Sequence, residues 1–87
     1  MKTFKDLEFK AHPNEMGGVQ AKIKFANGFS ASIVKTSFSY GGTRGLYELA
    51  IFGKDGDITY DTPITDDVLG YLSETAVSEA LAKIQAL

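Results

Sequence analysis

Cysteine is absent from this chain of 87 residues, and His12 is its only histidine. No disulfide can staple the fold, and no thiolate can hold a metal. A zinc site would have to draw every ligand beyond His12 from carboxylates, which is unusual for structural zinc. No metal and no cofactor are therefore expected. The lack of cysteine also favours a reducing compartment, and a cytoplasmic location is the expectation. Long apolar runs are missing too. The longest span only a few residues, against the ~20 needed to cross a bilayer. The opening Met1-Lys2-Thr3-Phe4-Lys5-Asp6-Leu7-Glu8 has no apolar signal segment. Contact with a membrane is not expected.

What is present fits one domain over residues 1–87. Hydrophobic residues make up 44% of the chain, enough for a compact core. A chain of this length buries only about 60–65% of its unfolded surface, so its stability margin is thin. The charge is unevenly distributed. Lys2, Lys5, Lys10, Lys22, Lys24, Lys35 and Arg44 outnumber Asp6, Glu8 and Glu15 in the first half. In the second half, Lys54 and Lys83 face Glu48, Asp55, Asp57, Asp61, Asp66, Asp67, Glu74 and Glu79. The net charge of −2 argues against a general nucleic-acid binder, although the basic first half allows a local basic face.

Periodicity divides the chain into strands followed by a helix. Leu7, Phe9 and Ala11 alternate with Glu8 and Lys10, predicting a first strand over 7–11. Residues 12–18 are a loop. Val19, Ala21, Ile23 and Phe25 then alternate with Gln20, Lys22 and Lys24, predicting a half-buried strand with a basic outer face. Residues 29–35 alternate in the same way. The buried face selects the turn between these strands. A three-residue loop Ala26-Asn27-Gly28 pairs Phe25 with Phe29, Ile23 with Ala31 and Ala21 with Ile33, whereas a two-residue loop would set apolar residues against serines. In the chosen register Lys35 opposes Val19. Residues 46–53 are apolar on both faces apart from Glu48, the pattern of an inner strand covered by a helix. Lys54-Asp55-Gly56-Asp57 is a turn signature, and 58–61 a short return strand. Thr65, Asp66 and Asp67 read as a helix cap, with a short helix over 66–72. Ser73 caps a second helix, in which Val77, Ala80, Leu81, Ile84 and Leu87 recur at helical spacing. The expected fold class is α+β, an antiparallel sheet of four to five strands with a C-terminal helix packed on one face.

No catalytic constellation stands out. His12 lacks an organised neighbour that would make it a general base. Asp55, Asp57 and Asp61 do not have the spacing of a calcium loop, and turn chemistry accounts for them. Tyr40-Gly41-Gly42-Thr43-Arg44-Gly45 is the most function-like segment. Its glycines free the backbone, its tyrosine can stack, and its arginine can fork onto a carboxylate or phosphate. A solvated hairpin connection is the alternative. Lys22 and Lys24 share an outer face and form a second candidate contact, although lysines also guard edge strands from aggregation. Leu69, Tyr71 and Leu72 read as core.

The stretch Leu46-Tyr47-Glu48-Leu49-Ala50-Ile51, continuing through Tyr60-Asp61-Thr62-Pro63-Ile64-Thr65-Asp66-Asp67-Val68-Leu69-Gly70-Tyr71-Leu72, with the earlier Met16-Gly17-Gly18-Val19, is similar to small proteins of phages and prophages. That resemblance implies a protein that binds a host protein, as inhibitors of host defence such as anti-CRISPR proteins do. It carries over no functional residue. The expectation is a non-enzymatic binding protein that contacts a host macromolecule through Tyr40, Gly41, Gly42, Arg44, Lys22 and Lys24, with a homodimer through an edge strand as a further arrangement. Two alternatives stand beside it. One is a nucleic-acid binder using Lys22, Lys24 and Arg44 with Phe38 and Tyr40. The other is a small enzyme or ligand-binding domain in which His12, Tyr40, Arg44, Tyr60 and some aspartates converge. The acidic second half also allows mimicry of nucleic-acid phosphate.

Overall fold

A computed structural model describes residues 1–14, 17–59, 62–64 and 67–87. Five strands form one antiparallel sheet in sequence order: β1 (Lys10–Ala11), β2 (Val19–Lys24), β3 (Ser30–Lys35), β4 (Tyr47–Phe52) and β5 (Leu69–Leu72). One helix, α1 (Glu74–Gln85), follows. The α+β class with a helix over an antiparallel sheet is as the periodicity predicts.

The β2–β3 hairpin has the three-residue turn. Ala21 pairs with Ile33, Ile23 with Ala31 and Val19 with Lys35. Phe25 donates its N–H to the Phe29 carbonyl at 2.9 Å, and Gly28 closes the turn at φ 92°. Only glycine adopts that conformation without steric penalty. Asn27 ties the turn to the helix end. Its Oδ1 accepts from the Phe29 N–H, and its Nδ2 donates to the Ile84 carbonyl at 2.9 Å.

Alternation on three strands builds one buried face. Ala21, Ala31, Ile33, Tyr47, Leu49 and Ile51 point to it, with Phe25 beyond the end of β2. Helix α1 closes it with Val77, Ala80, Leu81 and Ile84, four residues on one stripe of the helix. Ser73 starts the helix by accepting the Ala76 N–H on its hydroxyl. Leu87 lies past the helix and is exposed. The N-terminal segment fills the remaining flank. Its 3₁₀ turn Phe4–Asp6 is hooked to the helix by the Phe4 N–H on Ser78 Oγ, and the rings of Phe4 and Phe9 pack on Tyr47 at 5.3 and 5.4 Å. The opposite face of the sheet carries Gln20, Lys22, Lys24, Ser30, Ser32, Val34, Glu48, Ala50 and Phe52, and among the described residues no helix covers it.

Three expectations need correction. The segment 66–72 is not a helix where it is described: Leu69–Leu72 is strand β5, paired with β4 through Leu49↔Leu69 and Tyr47↔Leu72. Gly70 weakens any helix there, and β4 presents a ladder of backbone groups that a strand satisfies. The first strand is shorter than 7–11, because Leu7 and Phe9 turn into the core rather than pairing with β2. Of the return after the 53–57 turn, the described residues show a single bridge between Phe52 and Ile58, supported by Thr59 N–H on the Ile51 carbonyl. Glu15, Met16, Tyr60, Asp61, Thr65 and Asp66, which figure in the loop, return-strand and cap readings, lie outside the described residues.

Leu81 is fully buried between sheet and helix. Truncation by Leu81→Ala is expected to destabilise the protein by about 2–5 kcal/mol, read from urea unfolding. A loss below about 1 kcal/mol would mean that the helix does not seal this core. A second expectation concerns Asp6. The hydrogen bond from the Thr3 N–H, 2.7 Å from Oδ2, is the main force holding its carboxyl below the ordinary range, with burial acting against it and the charge of Lys2 adding to it. The folded state therefore binds this proton less readily than the unfolded chain. The stabilisation is present near neutral pH and fades as acidity carries the medium down through the lowered value. Titration of the Asp6 side-chain resonance should show a midpoint below that of an unstructured aspartate, and Asp6→Asn should flatten this part of the acid unfolding profile.

Candidate binding surface

The glycine-rich loop is an ordered structure. Thr36, buried at the end of β3, accepts the N–H groups of Phe38 and Ser39 on its hydroxyl, and its own N–H goes to Ser39 Oγ. A second 3₁₀ turn, Gly42–Arg44, follows between Gly41 and Gly45, both in the left-handed region at φ 89° and 75°. The Gly41 carbonyl accepts from both Arg44 and Leu46. A Cβ on Gly42 would collide with the Thr36 carbonyl, so the chain there can turn this tightly only with glycine.

This loop is fastened to β5. Tyr40 accepts the Tyr71 N–H on its carbonyl at 3.1 Å and donates its own N–H to Glu48 Oε2 at 2.7 Å. Tyr40 also lies flush on Gly70, where an added Cβ would come within 2.6 Å of the Tyr40 Cβ. The contact depends on a β-bulge. One residue, Glu48, lies between Tyr47 and Leu49 on β4, but two, Gly70 and Tyr71, lie between Leu69 and Leu72 on β5. The extra residue swings Tyr71 outward. Tyr71 has φ 56°, the single positive value at a non-glycine among the described residues. A tyrosine in that region stores about 1 kcal/mol or more of strain.

The result is a patch of exposed rings with a cation. Tyr71 is 58% exposed, Tyr40 56% and Phe38, two residues earlier on the loop, 81%. The Arg44 guanidinium sits 5.9 Å from the centre of the Tyr71 ring, at the outer limit of a cation–π contact. Among the described residues no acceptor takes a hydrogen bond or ion pair from it, so its N–H fork is open.

The structure thus gathers Tyr40, Gly41, Gly42 and Arg44 and adds Tyr71, which sequence reasoning assigned to the core. Lys22 and Lys24 stand apart from them on the open face of β2, three strands away from β5. The residues of the enzyme reading do not converge where described. His12 sits beside β1, with Nδ1 accepting the Asn14 N–H, whereas Tyr40 packs on β5 at the other edge of the sheet. Among the described residues no group of three or more His, Asp or Glu side chains could hold a metal, and no helix is long and apolar enough to cross a membrane. An open depression of about 600 Å³ lies elsewhere, between the 53–59 turn and the C-terminal end, with Phe29, Lys54, Asp57 and Leu87 in its wall. Its lysine and aspartates are those of a turn, and no aromatic–arginine cluster faces it.

Gly70→Ala is expected to lower stability by about 1–3 kcal/mol by forcing Tyr40 off β5, and to shift the Tyr40 and Tyr71 resonances together. Tyr71→Asn, which keeps a residue tolerant of positive φ, should leave the melting temperature nearly unchanged, whereas β-branched Tyr71→Val should lower it. Equal melting temperatures for the asparagine and valine variants would contradict the bulge geometry.

Comparison with known proteins returned no matching family model and no significant match among curated proteins or solved structures.

Proposed function

We propose that this chain is a non-enzymatic binding protein that engages another protein through Phe38, Tyr40, Arg44 and Tyr71. The observation that carries this reading is the Arg44 guanidinium, without a hydrogen-bond or ion-pair acceptor among the described residues, beside the strained, outward-facing Tyr71. Tyrosine and arginine dominate the energetics of protein interfaces, where rigid rings bury area and the guanidinium fork takes a carboxylate. The loop hydrogen bonds and the fit of Tyr40 on Gly70 fix the patch in advance, which lowers the entropy lost on binding. Nucleic acid suits the patch less well. Glu48 lies beside Tyr40, and Lys22 and Lys24 are too far across the sheet to neutralise phosphates at the same place. The likeness to small phage and prophage proteins makes a cytoplasmic bacterial host protein the partner of choice, with inhibition of that protein as the outcome.

Tagged protein captured from bacterial lysate, followed by calorimetry on the recovered partner, tests this reading. Arg44→Ala with Tyr71→Asn should weaken binding by about 30-fold or more, a loss of about 2 kcal/mol, while circular dichroism stays unchanged. Equal binding by the wild type and the double variant would refute it. So would recovery of nucleic acid alone, released steeply by salt.

A further inference from the structure

The far edge of the sheet carries a second surface. The Phe25 N–H bond to Phe29 sets the phase of the β2–β3 ladder. In an antiparallel pair, alternate residues exchange hydrogen bonds with the partner strand. Residues 19, 21, 23 and 25 thus address β3, and the backbone groups of 18, 20, 22 and 24 point outward. The first two of these are taken. Gly18 accepts the His12 N–H at 2.8 Å, and Gln20 pairs with Lys10. There β1 ends. The chain before Lys10 dives beneath the sheet, where Phe9 meets Phe4 and Tyr47. Among the described residues no strand lies beside Lys22 and Lys24, whose outward amides and carbonyls form an open template. A depression of about 330 Å³ opens where β1 parts from β2, walled by Glu8, Lys10, Gln20 and Lys22. The other edge of the sheet offers less, because the bulge interrupts β5 and the Tyr71 N–H is already spent on Tyr40.

We propose that the Lys22–Lys24 edge of β2 accepts an extended acidic segment of a partner protein as an added strand. Strand addition draws affinity from the backbone and specificity from alternate side chains. Lys10, Lys22 and Lys24 lie on the open face, and no ion pair engages any of them among the described residues. Carboxylates on alternate positions of the added strand would sit beside them. The intervening side chains would point to the other face, beside half-buried Ile23, and apolar β-branched residues suit that place. A second copy of this chain fits poorly, because antiparallel pairing of two such edges sets lysine against lysine, and directly opposed like charges destabilise a strand pair. This inference uses a different edge from the Arg44–Tyr71 patch and stands or falls independently of it.

The test uses isotope-labelled full-length protein and a capped Glu-Val-Glu-Val-Glu peptide, with Lys-Val-Lys-Val-Lys as the charge-reversed control. The acidic peptide should cause saturable shifts at the Lys22 and Lys24 amides and slow their exchange with solvent. Lys22→Glu with Lys24→Glu should reverse the preference between the two peptides by about tenfold or more, as expected for charge complementarity at an interface. Three results would each overturn the proposal. The first is no shift at millimolar peptide. The second is shifts confined to the Phe38–Arg44 loop and Tyr71. The third is salt-sensitive binding without protection of the two amides, which would indicate charge attraction without strand addition. Self-association of the wild type through this edge in sedimentation would overturn the choice of an acidic occupant.

Discussion

The seam between Leu49 and Ile51 on β4 and Val77, Leu81 and Ile84 on α1 holds the rest of this protein in place. All five side chains are removed from solvent. Neither element could stand alone. A twelve-residue helix is marginal in water without an apolar face to pack against, and a sheet with one bare apolar face invites aggregation. Packing the two together fixes β4 as the inner strand. β3 and β5 are then recruited to its two sides by the demand that its buried amides and carbonyls be paired.

That arrangement has a consequence at the surface. Because the helix covers one face only, the opposite face and the Lys22–Lys24 stretch of the β2 edge stay open among the described residues. The exposed aromatic–arginine patch is an outgrowth of the same packing. Leu69 and Leu72 must both reach the core face to meet the helix, yet a regular strand would place residues three apart on opposite faces. The bulge resolves the conflict, and its surplus residue, Tyr71, is turned outward beside Arg44. Strain at Tyr71 is thus the local cost of seating two leucines, and the ordered 36–45 loop grips the bulge from outside.

These relationships explain which features the sequence discloses. The β2–β3 register is legible because one face is buried and a slip by one residue would expose Ile23 and Ile33. The helix is legible from the spacing of Val77, Ala80, Leu81 and Ile84 and from the cap at Ser73. Strand β5 is hidden for a physical reason. Its bulge gives Leu69 and Leu72 the i,i+3 spacing of a helix, so periodicity points to the wrong element there. The Tyr40–Arg44 half of the patch is visible as a glycine-rich loop with an aromatic and a cation. Its other half depends on a contact between residues 30 positions apart, and no local pattern marks Tyr71 as exposed. One cue was available: Gly70, next to an aromatic in a short strand, signals a bulge or a close backbone approach. The open edge at Lys22 and Lys24 follows from where β1 stops, which depends on the turning of Leu7 and Phe9 into the core rather than on their alternation.

The core and the exposed patch both depend most on β5 being a bulged strand seated beneath the helix. A nuclear Overhauser spectrum of methyl-labelled protein tests this in one measurement. Cross-strand contacts from Leu69 to Leu49 and from Leu72 to Tyr47, together with contacts from the methyls of Leu49 and Ile51 to Leu81 and Ile84, are the predicted result. Sequential helical contacts through residues 67–72, without the cross-strand set, would contradict the sheet, the bulge and the aromatic–arginine patch together.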